Sequence, residues 1–255
     1  MSINKTGRNP LVSIIIPVFN AEKFLKDTIT TIKSQTYTNW EAIFVDDCST
    51  DNGAKIIKAE KDPRIKLISK KGNSGSAETR NVGISKAKGQ YICFLDADDS
   101  WKPEKLEKQI VFMKKTDAAF SFTGYEFADE NCKPNGKKVF VPEKMNYEQA
   151  LKNTTIFIST VMFDMSKLSK EDIVMPNVRS EDTATWWKVL KKIDYAYGLN
   201  EILSFYRRST NTKSANKLKA ISQTWELYRK VEKLNFLKSS YNFSWYAFNA
   251  VRRRV

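Results

Sequence analysis

Short hydrophobic runs and amphipathic segments alternate strictly through the first hundred residues of this 255-residue chain. The hydrophobic runs are rich in β-branched and aromatic residues, which is typical of buried strands, whereas the segments between them repeat their apolar residues at helical spacing. The predicted strands cover residues 12–19, 40–45, 65–68 and 91–95. Near-continuous apolar strands joined by helices predict an α/β fold whose mainly parallel sheet is covered on both faces.

Polar and acidic residues follow three of these predicted strands. They are Asn20 after the first strand, Asp46 and Asp47 after the second, and Asp96, Asp98 and Asp99 after the fourth. Right-handed crossovers bring the carboxyl ends of parallel strands to one edge of the sheet, and ligands bind there, where the strand order reverses. The sequence therefore predicts a ligand site at this acidic edge.

Asp96, Asp98 and Asp99 place three carboxylates within four residues. Buried together without a positive partner they would repel one another, so a cation is expected between them. An all-oxygen set suits a hard divalent cation, Mg²⁺ or Mn²⁺. The alternative is a capped turn, in which Asp98 or Asp99 caps the helix predicted to begin near Pro103.

The chain contains no histidine and three cysteines. The absence of histidine excludes Ser/His/Asp and Cys/His catalysis, His-ligated zinc and a histidine base. Three cysteines without a C-x-x-C pair argue against a disulfide framework or a zinc ribbon and favour a reduced, cytoplasmic compartment. The sequence has neither a signal-peptide pattern nor an apolar run of about 18 residues, so we expect a protein that is soluble or lies on a surface.

The strand and helix pattern changes after Asp117. A hairpin is predicted from residue 120 to 141 with its turn at 134–136, followed by a short helix, an extended segment at 155–163, a helix over 181–192 and a strand over 202–206. These elements complete a predicted compact domain over residues 1–214.

The remaining residues, 215–255, form a predicted helical region rich in basic and aromatic side chains. Residues 201–255 hold twelve Lys and Arg against three Asp and Glu, which is most of the net charge of +14. This composition suits helices on an anionic membrane surface. Nucleic acid would also attract it, but no helix-turn-helix, finger or RNP motif is present. A third interpretation is that the aromatic residues pack the helices onto the domain and the lysines face solvent.

Four segments together carry a family resemblance. They are VSIIIPVFNAEKFL, WEAIFVDDCSTD, GNSGSAETRNVGISKAKGQYICFLDADD and SEDTATWW, in this order, within about residues 11–210. The sequence resembles the family-two glycosyltransferases with the GT-A fold, of the bacterial surface-polysaccharide biosynthesis type. The resemblance implies a nucleotide-binding half over about 11–117 and an acceptor-binding half over 118–214.

The resemblance also assigns roles to residues. It places Pro17, Phe19 and Asn20 along the nucleotide pocket, Asp47 on the uracil ring, Arg80 on the nucleotide, Asp96 near the ribose and Asp98 on the metal, with Asp99 sharing either task. A divalent cation there would neutralise the diphosphate leaving group.

Glu181 and Asp182 form the second acidic pair. The resemblance makes Asp182 the general base and puts Glu181 beside the acceptor or the diphosphate. We expect Ser180 to cap this helix and the positive helix end to lower the pKa of a carboxylate there. One of Trp186 and Trp187 could offer a sugar ring an apolar platform while the other packs in the core. The alternative is that both carboxylates only favour the helix start.

One segment departs from the family pattern. Many relatives have Tyr-Arg-x-His in the last strand of the domain, whereas this chain has Tyr206, Arg207, Arg208 and Ser209. Either Asp98 with water and the diphosphate suffices to hold the metal, or Arg207, Arg208 or Lys213 supplies the positive charge.

The resemblance therefore implies an inverting transfer of a sugar from a nucleotide donor, expected to be UDP-linked, with Mn²⁺ or Mg²⁺ as cofactor. The expected acceptor is a lipid-linked glycan in capsule, O-antigen or cell-wall assembly, at the inner face of the cytoplasmic membrane, and no nucleic-acid partner is expected. Double displacement remains open. The alternative functions are a nucleotide-sugar-binding or membrane-surface protein without turnover and, third, a nucleic-acid-associated protein.

Overall fold

The computed structural model describes residues 9–153, 155–208 and 217–252. Lys213, Arg253 and Arg254 lie outside them. The described strands are β1 (Val12–Val18), β2 (Trp40–Asp46), β3 (Ile65–Ser69), β4 (Tyr91–Phe94), β5 (Ser100–Trp101), β6 (Phe120–Ala128), β7 (Pro134–Val139), β8 (Lys144–Met145), β9 (Met162–Asp164) and β10 (Ala196–Arg207). The described helices are α1 (Glu22–Lys33), α2 (Gly53–Lys58), α3 (Ser76–Lys86), α4 (Lys105–Thr116), α5 (Tyr147–Leu151), α6 (Lys170–Ile173), α7 (Glu181–Leu190), α8 (Lys217–Glu226) and α9 (Phe236–Arg252). A 3₁₀ turn covers Ile158–Thr160 and a π-helical turn covers Leu227–Val231.

The strands form one mixed sheet in the order β3-β2-β1-β4-β9-β6-β10-β5, with β7 on β6 and β8 on β10. β1 to β4 are parallel, and β6 and β10 form a second parallel pair. β9 lies antiparallel between β4 and β6 and joins the two parallel parts. The strand order reverses between β1 and β4, so a crevice is expected at their carboxyl ends. The predicted mixed, mainly parallel α/β sheet is confirmed.

β1 is buried on both faces of the sheet. Ile14 and Ile16 pack in one hydrophobic layer with residues of α1 and α4, whereas Ile15 packs in the opposite layer with residues of α3 and α7, and none of the three is exposed. Alternation of side chains along a strand sends neighbouring residues to opposite faces. The prediction of a sheet covered on both faces is therefore confirmed.

The predicted hairpin is present, but its turn lies elsewhere. β6 and β7 pair antiparallel, and residues 134–136, predicted as the turn, belong to β7. The chain turns instead at Asp129, whose carboxylate Oδ1 accepts the backbone amides of Asn131 and Lys133, both at 2.9 Å. A side chain that satisfies loop amides stabilises this turn more effectively than the Pro-Asn-Gly sequence does.

The basic aromatic region is helical, as predicted, and its first part packs on the domain. The ring of Tyr228 stacks on that of Trp187 in α7, with ring centroids 5.3 Å apart. Leu227 and Tyr228 belong to the main hydrophobic core, which confirms part of the packing interpretation. Within the described residues, no helix combines the length and the apolar character needed to cross a membrane.

Candidate active site at the carboxyl edge of the sheet

The loops after β1 and β2 are tied together at the carboxyl edge. The side-chain oxygen of Asn20 accepts the amide of Thr50 at 2.8 Å, and the amide of Asn20 donates to Ser49 Oγ at 3.0 Å. Asn20 and Cys48 have φ values of 49° and 63°, in the left-handed region that tight reversals require. Both strands therefore end in sharp turns that open a cleft between them.

This cleft has a volume of about 450 Å³. Among the residues that line it are six predicted site residues: Pro17, Phe19, Asn20, Asp47, Asp96 and Asp98. Phe19 is 49% exposed, although it directly follows a strand in which every residue except Pro17 is buried. Clefts that bind nucleotides and other small ligands are commonly of this size.

Asp47 is fixed by three donors. Lys70 Nζ lies 2.6 Å from Oδ1, and the amides of Ser74 and Gly75 donate to Oδ1 and Oδ2 at 3.0 and 2.9 Å. Burial alone would raise the pKa of this carboxyl, but the hydrogen bond from Lys70 and those from the two amides outweigh burial and leave the pKa lowered. Asp47 is therefore an ionised acceptor, held in one orientation before any ligand binds.

Sequence reasoning missed Lys70. The residue directly follows β3, whose carboxyl end lies at the same edge as that of β2. A signal was therefore available, because a cation placed after the neighbouring parallel strand is positioned to pair with Asp47.

Asp96, Asp98 and Asp99 form a cluster in which one oxygen of each carboxylate lies within 4.8 Å of the others. Burial and then the neighbouring Asp96 raise the pKa of Asp98 to about 6. Burial and then Asp98 raise the pKa of Asp99 well above its usual value. Glu104, not Asp98 or Asp99, precedes α4 at its N-cap, so the capped-turn alternative is wrong. Asp99 is buried and Asp96 and Asp98 are partly buried, so the three carboxylates repel one another and are suited to share a cation.

Asp99 is the innermost member of this cluster. It is 1% exposed, its Oδ2 accepts Ser159 Oγ at 2.6 Å and its Oδ1 accepts the amide of Arg207 at 3.1 Å. Asp98 instead lines the cleft, which makes it the more accessible ligand.

Arg207 braces the acidic loop from below. Its Nε donates to the carbonyl of Asp98 at 2.6 Å, its Nη1 donates to the carbonyl of Glu130 at 2.7 Å and its Nη2 pairs with Asp27 at 3.1 Å. With its side chain 3% exposed, Arg207 is a support for the loop and not the free cation that the sequence suggested for the diphosphate.

Arg208 is exposed, unlike the preceding residue Arg207. Its guanidinium lies over the ring of Phe127, 4.5 Å from the centroid. Of the two arginines, Arg208 is therefore the one placed to meet a ligand from solution.

Arg80 joins the acidic loop to α7. Its Nη2 pairs with Asp96 at 2.7 Å and its Nη1 pairs with Glu181 at 2.8 Å. Only 8% of its side chain is exposed, so water screens its ion pairs with Asp96 and Glu181 only weakly. The sequence placed Arg80 against the nucleotide, whereas the structure places it behind Asp96, where it orients that carboxylate and the start of α7.

Asp182 lies in the first turn of α7, next to Glu181. Burial and then the charge of Glu181 raise the pKa of Asp182 to about 6, although the amide of Thr183 donates to its Oδ1 at 2.6 Å. The predicted lowering of the pKa by the helix end is therefore wrong. Ser180 has φ of 56° and makes no side-chain capping bond, so the predicted cap is wrong as well. A carboxylate with a pKa of about 6 can accept a proton near neutral pH.

Trp186 and Trp187 both lie in the core, 2% and 1% exposed. Trp186 packs against Phe120 and Phe163, with ring centroids 5.5 Å away in each case. Neither indole offers an open face to a sugar, so the predicted platform is wrong. The burial of α7 explains the result, because four consecutive residues, 184–187, are buried and the helix is therefore covered on most sides there.

Comparisons with known proteins show the family of this chain. The sequence model of glycosyl transferase family 2 matches residues 13–172. A Bacillus subtilis (strain 168) protein, provisionally named the teichuronic acid biosynthesis glycosyltransferase TuaG, is 45% identical over 253 residues, 98% of this chain and 100% of that protein. The Escherichia coli UDP-Glc:alpha-D-GlcNAc-diphosphoundecaprenol beta-1,3-glucosyltransferase WfgD is 37% identical over 218 residues, 85% of each chain.

Solved structures extend the likeness to the fold. The Pyrobaculum calidifontis mannosyltransferase PcManGT, solved with GDP-Man and Mn²⁺, superposes with a TM-score of 0.72 over 95% of this chain and 70% of that one, at 16% identity. This likeness concerns the GT-A fold, since the sequences have diverged too far to compare substrates.

Proposed function

The chain belongs to glycosyl transferase family 2 and is a glycosyltransferase, and we propose that it moves a sugar from a UDP-linked donor to a hydroxyl group of a lipid-linked glycan. The observation that carries the proposal is the cleft in which Asp47, Asp96 and Asp98 face one cavity of about 450 Å³. The ionised Asp47 suits the ring N–H of uracil, because a carboxylate only accepts hydrogen bonds. The UDP-Glc donor in the name of the Escherichia coli relative supports this choice.

The acidic cluster fits a hard divalent cation. Its candidate ligands are all carboxylate oxygens. Burial and mutual repulsion raise the pKa values of Asp98 and Asp99, and a bound cation would lower both pKa values. Asp98 and Asp99 would hold Mg²⁺ or Mn²⁺, with Asp96 directed to the ribose. When bound, the ion supplies positive charge against the diphosphate leaving group.

Asp182 is the proposed general base of a single displacement. The carboxylate removes the proton from the acceptor hydroxyl, whose oxygen bonds to the anomeric carbon on the face opposite the diphosphate. The carbon–oxygen bond to the diphosphate breaks, the electron pair leaves with UDP and the configuration inverts. A pKa of about 6 keeps Asp182 mostly deprotonated at neutral pH, yet basic enough to accept the proton.

The surrounding charges hold this arrangement. Glu181 accepts hydrogen bonds from Ser76 and Arg80, so the start of α7 is tied to the rim of the cleft that Ser76 lines. Arg208, the exposed arginine after β10, is the proposed contact for the diphosphate in place of the histidine that many relatives have.

The names of two relatives support the proposed acceptor class. The name of WfgD states an acceptor linked to diphosphoundecaprenol, and that of TuaG states teichuronic acid biosynthesis. We propose that this enzyme also acts in polysaccharide biosynthesis, in the assembly of capsule, O-antigen or cell-wall polysaccharide at the inner face of the cytoplasmic membrane. The basic excess of residues 201–255 supports a position at an anionic surface.

A donor panel tests the function. Hydrolysis of UDP-Glc, UDP-Gal and their N-acetyl forms is compared with that of GDP- and TDP-sugars, with Mg²⁺, with Mn²⁺ and with excess EDTA. We expect release of UDP from a UDP-sugar only, and NMR of the product with a synthetic lipid-linked acceptor should give the inverted anomer. Tight binding of UDP-sugars without release under any condition would instead indicate a binding protein without turnover.

A further inference from the structure

The last helix, α9, has two faces of opposite character. On its inner face Ser239 and Asn242 are 0% and 1% exposed, and Asn249 Nδ2 donates to the carbonyl of Lys152 at 3.0 Å. The outer face consists of Leu237, Tyr241, Ser244, Trp245 and Phe248. Its four large apolar residues are 79%, 56%, 44% and 57% exposed in that order. A contiguous apolar stripe of this kind on a soluble domain marks an interaction surface.

The hydroxyl groups within and beside this outer face are already bonded. Ser240 Oγ donates to the carbonyl of Phe236 at 2.9 Å, and Ser244 Oγ donates to the carbonyl of Ser240 at 3.0 Å. Because these donors are satisfied within the helix, covering the outer face with an apolar medium leaves no serine hydroxyl unpaired. Tyrosine and tryptophan rings are also the side chains that favour the boundary between lipid and water.

The charge around α9 selects among possible occupants. Arg229, Lys230 and Lys233 are exposed in the segment before the helix, and Lys238 is exposed in its first turn. Lys230 and Lys238 pair with Glu226 and Glu148, which leaves Arg229 and Lys233 as the basic residues of this group without an ion pair among the described residues. Residues 201–255 as a whole hold twelve basic and three acidic side chains. A second copy of the chain on this face would bring two basic regions together, whereas an anionic surface would be attracted.

We propose that the outer face of α9 docks on a bilayer that contains anionic lipids, with the helix axis in the plane of the interface. An amphipathic helix of this kind inserts its apolar stripe at the boundary between headgroups and acyl chains. The inference deepens the proposed function and rests on it in one respect, because a lipid-linked acceptor would be presented at the same surface.

The packing of the tail connects this surface to the candidate base. Tyr228 stacks on Trp187, which lies five residues after Asp182 in α7. Lys238 pairs with Glu148 of α5 at 3.0 Å and adds a second link between α9 and the domain. Docking through α9 would therefore hold the catalytic domain in a defined orientation over the bilayer.

Vesicle co-sedimentation of the full chain tests the proposal. Vesicles of phosphatidylethanolamine and phosphatidylglycerol are compared with vesicles of phosphatidylcholine alone. We expect the wild type to sediment with the anionic vesicles and the double variant Trp245→Ser, Phe248→Ser to lose at least tenfold in partition coefficient. The matched control, Val111→Ser with Phe140→Ser, removes two side chains that are 62% and 60% exposed elsewhere and should bind as the wild type does.

A spectroscopic measurement gives an independent readout. Brominated lipids should quench the tryptophan fluorescence of the wild type, and the single variant Trp245→Phe, which keeps the apolar face, should sediment normally but lose most of this quenching. Equal sedimentation of wild type and double variant, or quenching unchanged in Trp245→Phe, would overturn the proposal. So would a solution dimer of the 29.4 kDa chain that the double variant dissociates, since the occupant would then be a second copy.

Donor hydrolysis without vesicles separates this inference from the proposed function. The α9 variants should hydrolyse the donor at the wild-type rate, because their side chains lie outside the cleft. Hydrolysis without vesicle binding would overturn only the docking surface, whereas vesicle binding without any hydrolysis would overturn only the proposed function.

Discussion

The surroundings of Asp47 shift the pKa of its carboxyl in the opposite direction from the surroundings of Asp98 and Asp182. Around Asp47, a lysine and two backbone amides outweigh burial and lower the pKa. Around Asp98 and Asp182, burial and a neighbouring carboxylate raise the pKa of each group to about 6. Asp47 pairs directly with Lys70, whereas the positive charges of Arg80 and Arg207 near Asp98, and of Arg80 near Asp182, do not outweigh burial and the neighbouring carboxylates. The difference supports the proposed division of roles, in which Asp47 recognises the donor, Asp98 holds the cation and Asp182 accepts the proton, because groups with a perturbed pKa are often functional.

Among the variants that test this difference, Asp182→Asn should have the largest effect. We expect kcat to fall by about 10³-fold or more, since the amide cannot accept the proton from the acceptor, while the Kd for the donor should stay within about twofold. Steady-state transfer assays and calorimetry with UDP measure the two quantities. The control is Asp194→Asn, the same change at an exposed site after α7. A kcat that survives in Asp182→Asn would remove the base assignment.

Asp98→Asn tests whether the acidic cluster needs a cation. We expect about a 10²-fold loss of kcat and a loss of the response to added Mn²⁺, because the site would keep a weaker set of carboxylate ligands. A Mn²⁺ titration of both proteins, with EDTA as the zero point, gives the readout. Asp117→Asn, at a side chain that is 90% exposed, should titrate as the wild type does. Undiminished turnover of the wild type in excess EDTA would contradict the metal assignment.

Lys70→Gln sharpens the comparison from the Asp47 side. Without the ammonium group Asp47 loses its orientation, so we expect the KM for the donor to rise about tenfold with kcat within about twofold. Lys70→Arg should restore part of the affinity. The matched control is Lys66→Gln on the same strand, which removes an ion pair to Glu41 of the same length, 2.6 Å. Equal KM values for the two glutamine variants would show that Lys70 acts only on stability.

The free energy of unfolding should distinguish Asp182 from Asp47 without any substrate. At pH 8, Asp182→Asn should raise the free energy of unfolding by about 1 to 3 kcal/mol, because it removes a charge whose pKa is raised on folding. This gain is complete above about pH 6 and absent below about pH 4. Asp47→Asn should have the opposite sign and lower the free energy by about 1 to 3 kcal/mol, an effect that disappears as the pH falls and the wild-type carboxyl protonates. Urea unfolding at pH 8 measures both signs. At pH 4 the gain from Asp182→Asn should be absent, whereas most of the loss from Asp47→Asn should persist, because the lowered pKa of Asp47 keeps its carboxyl ionised there. A shared sign at pH 8 would refute the comparison.

The smallest effect is on the pH profile of the wild type. If Asp182 must be deprotonated, kcat/KM at saturating Mn²⁺ should rise with pH, reach half its plateau near pH 6 and level off above about pH 7. Assays between pH 5 and pH 8 measure the profile. A rate that is level down to pH 5 would place the catalytic proton on another group.

The sequence predicted the first half of the fold well because local signals determine it. β1, β2 and β4 begin at the predicted residues and end within one residue of the predicted ends, since short apolar runs rich in β-branched and aromatic residues favour buried strands. The motifs identified the family, which the comparisons confirm. β9 shows the limit, because three residues carry no periodicity and become a strand only by lying between β4 and β6.

Six of the predicted site residues line one cleft, but the sequence did not predict how the charged residues around it pair. The cleft unites Pro17, Asn20, Asp47 and Asp98, as strand ends at one edge must. The pairing of Arg80 with Glu181 and that of Arg207 with Asp99 depend on distances between segments about a hundred residues apart. No pattern along the chain encodes such distances.

The late position of β10 in the sequence determines when the acidic loop of the candidate site can be supported during protein synthesis. Arg207, its last residue, binds Asp99 and Asp98 across 108 and 109 residues of sequence. On a ribosome β1 to β4 emerge early and can begin to pair, because their contacts are comparatively local, whereas the brace under the acidic loop must wait for residue 207. A nascent chain therefore carries unbraced carboxylates through most of its translation and gains a competent site only when β10 docks.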